Sequence, residues 1–307
     1  MGLAYSMYDS TWPPKSKWGV NDIPDMSGKV ILVTGGNSGI GKETVKALLS
    51  HKARVYIAGH SKERCEAAIQ ELRTQTGNEA LFLHLDLASL NSVKAAADEF
   101  QRRETRLDVL INNGGVMMPN IKAVTKDGYD QQFGVNVVGH FYFTKLLLPV
   151  LFAVKHPRVV NLTSAGHLLL KKDLDYETFK DCPKREKTNL LELYNQSKFA
   201  NIVIAKEFAR RYGDQGIVST SVHPGLIVTN LGRDMNQTVV KIVGYLSYTA
   251  DKGALTTLYA AAAPESADAN GKYFIPWGRI GKLHPGTQDV ETGRKLWEWL
   301  ETETNRF

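Results

Sequence analysis

Tyr194 and Lys198 stand four positions apart in the run Tyr194-Asn195-Gln196-Ser197-Lys198, within a segment of helical period. On a helix that spacing places both side chains on one face, one turn apart. A free phenol titrates near pKa ~10, so acid or base work at neutral pH asks for a displacement worth about 4 kcal/mol. A lysine ammonium about 4 Å away at intermediate dielectric supplies that much. The pair can therefore move a proton. Taken alone, the same spacing also describes the exposed face of an amphipathic helix, and only context separates the two readings.

Other residues supply that context. The apolar run Val30-Ile31-Leu32-Val33-Thr34 leads into Gly35-Gly36-Asn37-Ser38-Gly39-Ile40-Gly41, after which the pattern turns helical. Glycines between a strand and a helix let the backbone approach a pyrophosphate, whose charge then sits at the helix N-terminus. The Gly-x3-Gly-x-Gly spacing of Gly35, Gly39 and Gly41 differs from the usual G-x-G-x-x-G, so a ligand-free turn is the alternative. Ser164 ends a strand-like run, on the carboxyl edge where open α/β sheets bind ligands, although a Ser there also serves as a helix cap or turn former. Asn136 lies among Phe133, Val135, Val137 and Val138, where a buried amide must find partners.

Apolar runs at 29–34, 54–58, 80–85, 109–113, 158–162, 217–222 and 272–275 predict strands. Amphipathic stretches near 39–51, 62–75, 90–103, 127–153, 194–212 and 251–262 predict helices between them. This alternation predicts one doubly wound parallel sheet of about seven strands with helices on both faces. Residues 1–28 read as an N-terminal arm, 29–285 as the dinucleotide-binding catalytic domain and 286–307 as a C-terminal helix or tail.

The chain has 307 residues, 43% hydrophobic, with a net charge of +6 spread among 32 acidic residues. No basic run suits nucleic acid, and Lys184-Arg185-Glu186-Lys187 reads as a solvated loop. Cys65 and Cys182 lie far apart outside any metal-ligand spacing, so no metal is expected and a reduced, cytoplasmic setting is. The longest apolar run, 146–154, contains Pro149 and is too short to span a membrane. Met1-Gly2-Leu3-Ala4-Tyr5-Ser6 fits a loose myristoylation pattern, which would anchor the chain only marginally.

The glycine turn, Asn112-Asn113-Gly114-Gly115, Asn136, Val159 to Ser164, Tyr194 to Lys198 and His223-Pro224-Gly225 follow one another in a fixed order. In that series the sequence resembles the short-chain dehydrogenase/reductase family, most nearly its retinol-dehydrogenase-like and fungal carbonyl-reductase-like members, over about residues 28–280. Gly114 departs from the family, which usually has Ala there. The resemblance implies a Rossmann fold and an oxidoreductase interconverting a carbonyl and an alcohol, with Tyr194 as acid/base. It implies that Lys198 holds the nicotinamide ribose, Ser164 bonds the substrate oxygen, and Asn136 holds a water linking the lysine to solvent. Gly35, Asn37, Ser38, Gly39, Ile40 and Gly41 would cradle the cofactor, with Asp86 and Leu87 against the adenine. Asn113, Gly114 and Gly115 would line the cleft, and Pro224, Gly225, Ile227 and Thr229 would contact the nicotinamide amide and phosphates.

An acid about twenty residues past the glycines would select NAD. Gly59 occupies that place, followed by His60, Ser61, Lys62 and Arg64, which suit a 2′-phosphate and favour NADP over NAD. The alternative is that Lys62 and Arg64 merely face solvent. Segments 165–190 and 226–250 are expected to form the substrate pocket, offering His167, Leu168, Leu169, Leu170, Leu231, Met235, Val239 and Tyr245 to an apolar or aromatic small molecule. Retinol- or steroid-type dehydrogenation is a second reading, and a NADP-binding sensor without turnover a third, although a sensor would be expected to lose Tyr194 or Lys198. A homodimer through 127–153 and 194–212 is the expected assembly, unless the Trp297/Trp299 extension covers that surface.

Overall fold

A computed structural model describes residue 9 and residues 12–170, 173–227 and 247–307. Gly2, Thr229, Leu231, Met235, Val239 and Tyr245 lie outside the described residues. Among the described residues the strands form one eight-stranded sheet, ordered β3-β2-β1-β4-β5-β6-β7-β8. These are β1 (Val30–Thr34), β2 (Arg54–Gly59), β3 (Leu81–His84), β4 (Val109–Asn112), β5 (Arg158–Leu162), β6 (Val218–Val222), β7 (Tyr273–Ile275) and β8 (Arg279–Ile280). The first seven pair in parallel, and β8 turns back antiparallel on β7. The expected count of about seven thus becomes eight, because a two-residue strand is too short to leave any period in the sequence.

Each central strand is buried on both sides, so its alternate residues feed two cores. Val30 and Leu32 of β1 join one cluster, and Ile31 and Val33 join the other. The main helices are α1 (Gly39–Ser50), α2 (Lys62–Thr76), α3 (Leu90–Arg103), α4 (Gly139–Leu146), α5 (Leu190–Tyr212), α6 (Ala250–Ala262) and α7 (Val290–Thr304). Side chains of α3, α4, α5 and α7 fill the first cluster, and those of α1, α2 and α6 the second. The arm contributes Ile23 and Met26 to the second cluster, while Trp18 meets Tyr259 edge-on at 5.5 Å.

The helix expected over 127–153 begins later and is interrupted. Gly128 turns the chain at φ +82°, and the Asp130 carboxylate caps the next turn by accepting from the N–H groups of Gln132 and Phe133. Residues Gly134–Val138 then form a π-helical turn, a local widening often found at functional sites. In contrast, α5 begins four residues earlier than expected, because the Asn189 side chain accepts from Leu191 N and caps it there. Arg185 does not face solvent. It is buried in a short helix, Pro183–Lys187, and bonds the Asp181 carboxylate at 2.8 Å.

Helix α7 is part of the fold. Trp297 is buried against Phe141 and Phe208, with the Arg211 guanidinium 4.4 Å from its ring centroid. The chain's own C-terminal helix thereby covers part of the α4/α5 surface on which a dimer was expected. Trp297→Ala should remove about 3–5 kcal/mol of stability, the usual cost of emptying a buried aromatic site. A denaturant titration checks this; a loss below about 1 kcal/mol would mean that α7 is not part of the cooperative core.

Candidate active site

Strand β1 lies between β2 and β4, so the chain's winding reverses there and a crevice opens at the strands' carboxyl ends. A cleft of about 530 Å³ occupies that place, a size typical of small-molecule sites. Its wall begins at the turn after β1, where Gly35 and Gly39 take φ +65° and +51°. A methyl group on Gly41 would lie 2.4 Å from the Gly35 carbonyl oxygen and 2.5 Å from Asn113 Nδ2. Ser38, the residue before α1, makes no side-chain cap, so the first N–H groups of α1 lack a side-chain acceptor and line the cleft. That is the arrangement a pyrophosphate fits. The donor set and the bare turn are compatible with a nicotinamide dinucleotide along this wall.

Of the predicted cofactor residues, Gly35, Asn37, Ser38, Gly39, Ile40, Gly41, His60, Arg64, Asp86, Leu87, Asn113, Gly114, Gly115, Pro224, Gly225 and Ile227 all line the cleft. Lys62 does not. It is exposed and reaches 3.7 Å towards Glu66 one helical turn on, so the solvent-facing alternative holds for this lysine. Arg64 Nη2 instead lies 2.6 Å from His60 Nε2 at the cleft wall. Burial alone would raise the Asp86 carboxyl, but bonds from Lys126 and the Ala88 amide outweigh it and hold it below the ordinary range.

Tyr194, Lys198 and Ser164 come together at the other end. Both Tyr194 and Lys198 are buried on α5, and the Lys198 ammonium stands 5.7 Å from the centroid of the Tyr194 ring. Burial pushes the phenol up to about 12, with the Ser164 hydrogen bond acting in the opposite sense. Burial pushes the ammonium down to about 8. The expected lowering of Tyr194 by Lys198 is therefore not met by the chain alone: the cation lies over the ring, and burial is the largest influence on the phenol. Lys198 Nζ donates to the Leu162 carbonyl at 3.3 Å.

The two hydroxyls after β5 have separate tasks. Thr163 Oγ1 donates to the Lys198 carbonyl at 2.6 Å, while Ser164 Oγ accepts from Gly166 N and bonds Tyr194. Asn136 is not in the cleft wall, and its amide is consumed by protein. Its Oδ1 accepts from Val116 N at 2.9 Å, and its Nδ2 donates to Val116 O and Ser197 Oγ, each at 3.0 Å. The core-amide alternative fits these contacts, which use both side-chain N–H protons and one lone pair of Oδ1. His167 and Leu170, expected in the substrate pocket, are turned into the protein, His167 donating its Nδ1 proton to the Ser164 carbonyl at 2.7 Å. Val116, Met117, Gln131 and Val135 also line the cleft and were not anticipated. Val116 and Met117 are the next two residues after the Asn113–Gly115 turn, which is the one signal that could have suggested them.

A family model described as short chain dehydrogenase matches residues 29–171. A short-chain dehydrogenase/reductase of Armillaria gallica is 50% identical over the whole of both chains. Retinol dehydrogenase 13 of Homo sapiens is 37% identical, over 88% of this chain and 82% of its own. The crystal structure of a short chain dehydrogenase from Burkholderia cenocepacia J2315 in complex with NADP superimposes with a TM-score of 0.65 at 26% identity, covering 83% of this chain and 98% of the other. The chain belongs to the short-chain dehydrogenase/reductase family. It is an oxidoreductase of the CH–OH/C=O class with the Rossmann-like fold of that family. Among the described residues no helix is long and apolar enough to cross a membrane.

Gly41→Ala tests the turn. The added methyl meets backbone, which cannot yield cheaply, so NADPH affinity should fall by more than about tenfold, measured by fluorescence titration; near-wild-type affinity would show that this wall does not hold the dinucleotide.

Proposed function

We propose that this protein is an NADP(H)-dependent reductase interconverting a carbonyl and a primary or secondary alcohol on an apolar or aromatic small molecule, with Tyr194 as the proton donor. The carrying observation is that one cleft holds the bare glycine turn at one end and Tyr194, Lys198 and Ser164 at the other. A reduced nicotinamide bound there would supply the hydride. Tyr194, held protonated up to about pH 12, enters as the neutral phenol, which is the form a donor needs. Ser164 orients the phenol and offers a second hydroxyl to the substrate oxygen. The Lys198 cation beneath the ring stabilises negative charge as the phenol gives up its proton. Thr163, bonded to the Lys198 carbonyl, fixes the helix turn that carries both groups.

NADP preference rests on Gly59, where no acid competes, together with His60 and Arg64 in the cleft wall. The relative crystallised with NADP supports the same reading. The free thiols Cys65 and Cys182 suit the reducing cytoplasm. A sensor without turnover is less well supported, because the complete Tyr194, Lys198 and Ser164 set is retained.

Tyr194→Phe should keep NADPH affinity within about threefold yet lose at least about 100-fold in turnover, by stopped-flow and binding titration; unchanged turnover refutes the assignment. For reduction, Tyr194 must keep its proton, satisfied below about 12, and Lys198 its charge, satisfied below about 8. Reductive kcat/KM should therefore be flat through neutrality and fall above about pH 8, and that limb should vanish in Lys198→Met. Arg64→Ala should weaken NADPH by about tenfold while leaving NADH alone, and Lys62→Ala should change neither; equal affinities of the wild type for both cofactors would overturn the preference.

A further inference from the structure

His140 lies on α4, one turn after Asn136, and is buried away from the cleft. Each of its ring nitrogens has one partner: Nε2 lies 2.8 Å from Thr34 Oγ1, and Nδ1 lies 3.1 Å from the Asn136 carbonyl oxygen. A carbonyl oxygen can only accept, so Nδ1 carries a proton. Burial, reinforced by the charge of Lys198, pushes this imidazole down to about 4 despite the backbone bond, so Nε2 is bare and must accept.

Thr34 leads to the same tautomer from the other side. Its Oγ1 already receives two amide protons, from Asn113 N at 2.9 Å and from Gly114 N at 2.8 Å. The hydroxyl proton then points to Nε2, since the other acceptor near it, the Ile111 carbonyl, is at 3.4 Å. Every proton in the chain is thereby assigned. The amides of Asn113 and Gly114 donate to Thr34, Thr34 to His140, and His140 to the Asn136 carbonyl. From Asn136 the path continues through its amide to Ser197 Oγ, whose proton goes to the Tyr194 carbonyl at 2.7 Å. Gly114 sits close over this chain: a methyl there would lie 3.2 Å from Thr34 Oγ1 and 3.1 Å from Leu87 Cδ1.

We propose that neutral His140 is a positioning residue that couples the cleft-lining turn Asn113–Gly115 to the helix carrying Tyr194 and Lys198, so that cofactor binding and proton-donor placement depend on one chain of hydrogen bonds. This rests on the dinucleotide reading of the cleft. A His retained only for packing would fill the same space without linking the two functions.

The test uses His140→Leu, His140→Gln, Thr34→Val and the His140→Leu/Thr34→Val double variant of the full chain. Melting temperature, NADPH dissociation constant, single-turnover rate and hydrogen exchange at the Asn113 and Gly114 amides are read for each. His140→Leu should weaken NADPH and slow the single turnover by about tenfold each, the size of one broken buried hydrogen bond, and speed exchange at both amides. Thr34→Val should do the same, and the double variant should be no worse than about twofold beyond the more damaged single one, because both cut one chain. His140→Gln, whose amide can donate to Asn136 and accept from Thr34, should recover most of the loss. A His140→Leu that lowers only the melting temperature, or effects that multiply in the double variant, would overturn the proposal. Should His140→Leu not fold, Thr34→Val and His140→Gln decide it by the same readings. Wild-type protein that binds no NADPH would refute the cofactor reading instead, while the amide exchange rates would still decide the coupling.

Discussion

The burial of the Lys198 ammonium is the constraint around which the site is organised. Among the described residues no carboxylate lies within ion-pair distance of it, and its hydrogen bond goes to the Leu162 carbonyl. A cation taken from water without a counter-ion is expensive, and the fall to about 8 corresponds to roughly 3 kcal/mol. The neighbouring residues limit that cost without cancelling the charge. The Leu162 carbonyl, the face of the Tyr194 ring and the open cleft are what the ammonium meets. Gly115 keeps the approach clear, since a methyl there would lie 3.0 Å from Asn136 Oδ1 and 3.8 Å from Lys198 Nζ. A charge left unpaired in a cleft is available to whatever binds there.

Holding such a group requires rigid elements on several sides. Strand β5 delivers Leu162, Thr163 and Ser164 in consecutive positions at the carboxyl edge of the sheet, and α5 runs past that edge so that Thr163 meets the Lys198 backbone. The π-helical turn before α4 brings Asn136 against Ser197 on α5 and Val116 beyond β4. Helix α7 packs against α5 with Trp297, linking the far end of the chain to the helix that carries the site. The glycine turn after β1 supplies the opposite wall.

Much of this was legible in the sequence because it is written in periodicity and in residue type. The alternation of apolar runs gave the parallel sheet, and the Tyr194–Lys198 spacing gave their shared helix face. Features set by tertiary contact were not legible. Strand β8 is too short for a period, and the capping of Gln131–Phe133 by Asp130 comes after Gly128 has turned the chain. Lys62 and Arg64 look equivalent as residue types, yet only Arg64 lines the cleft, because α2 begins at Lys62 and turns the two in different directions. The hydrogen bonds of Asn136 and His140 depend on which groups the fold brings beside them, and no single residue's identity records that. The Tyr194 titration was misjudged for a related reason: spacing shows that a cation is near, but not how deeply the phenol is buried.

The most direct test is a titration of Lys198 itself. In protein carrying ¹³C-labelled lysine side chains, NMR across the pH range should show one lysine titrating near 8, well below the ~10.4 of a solvated lysine, and that resonance should be missing from Lys198→Met. If instead the Lys198 resonance titrates with the surface lysines, the ammonium is solvated or paired, and the account of a buried, uncompensated charge beside Tyr194 fails.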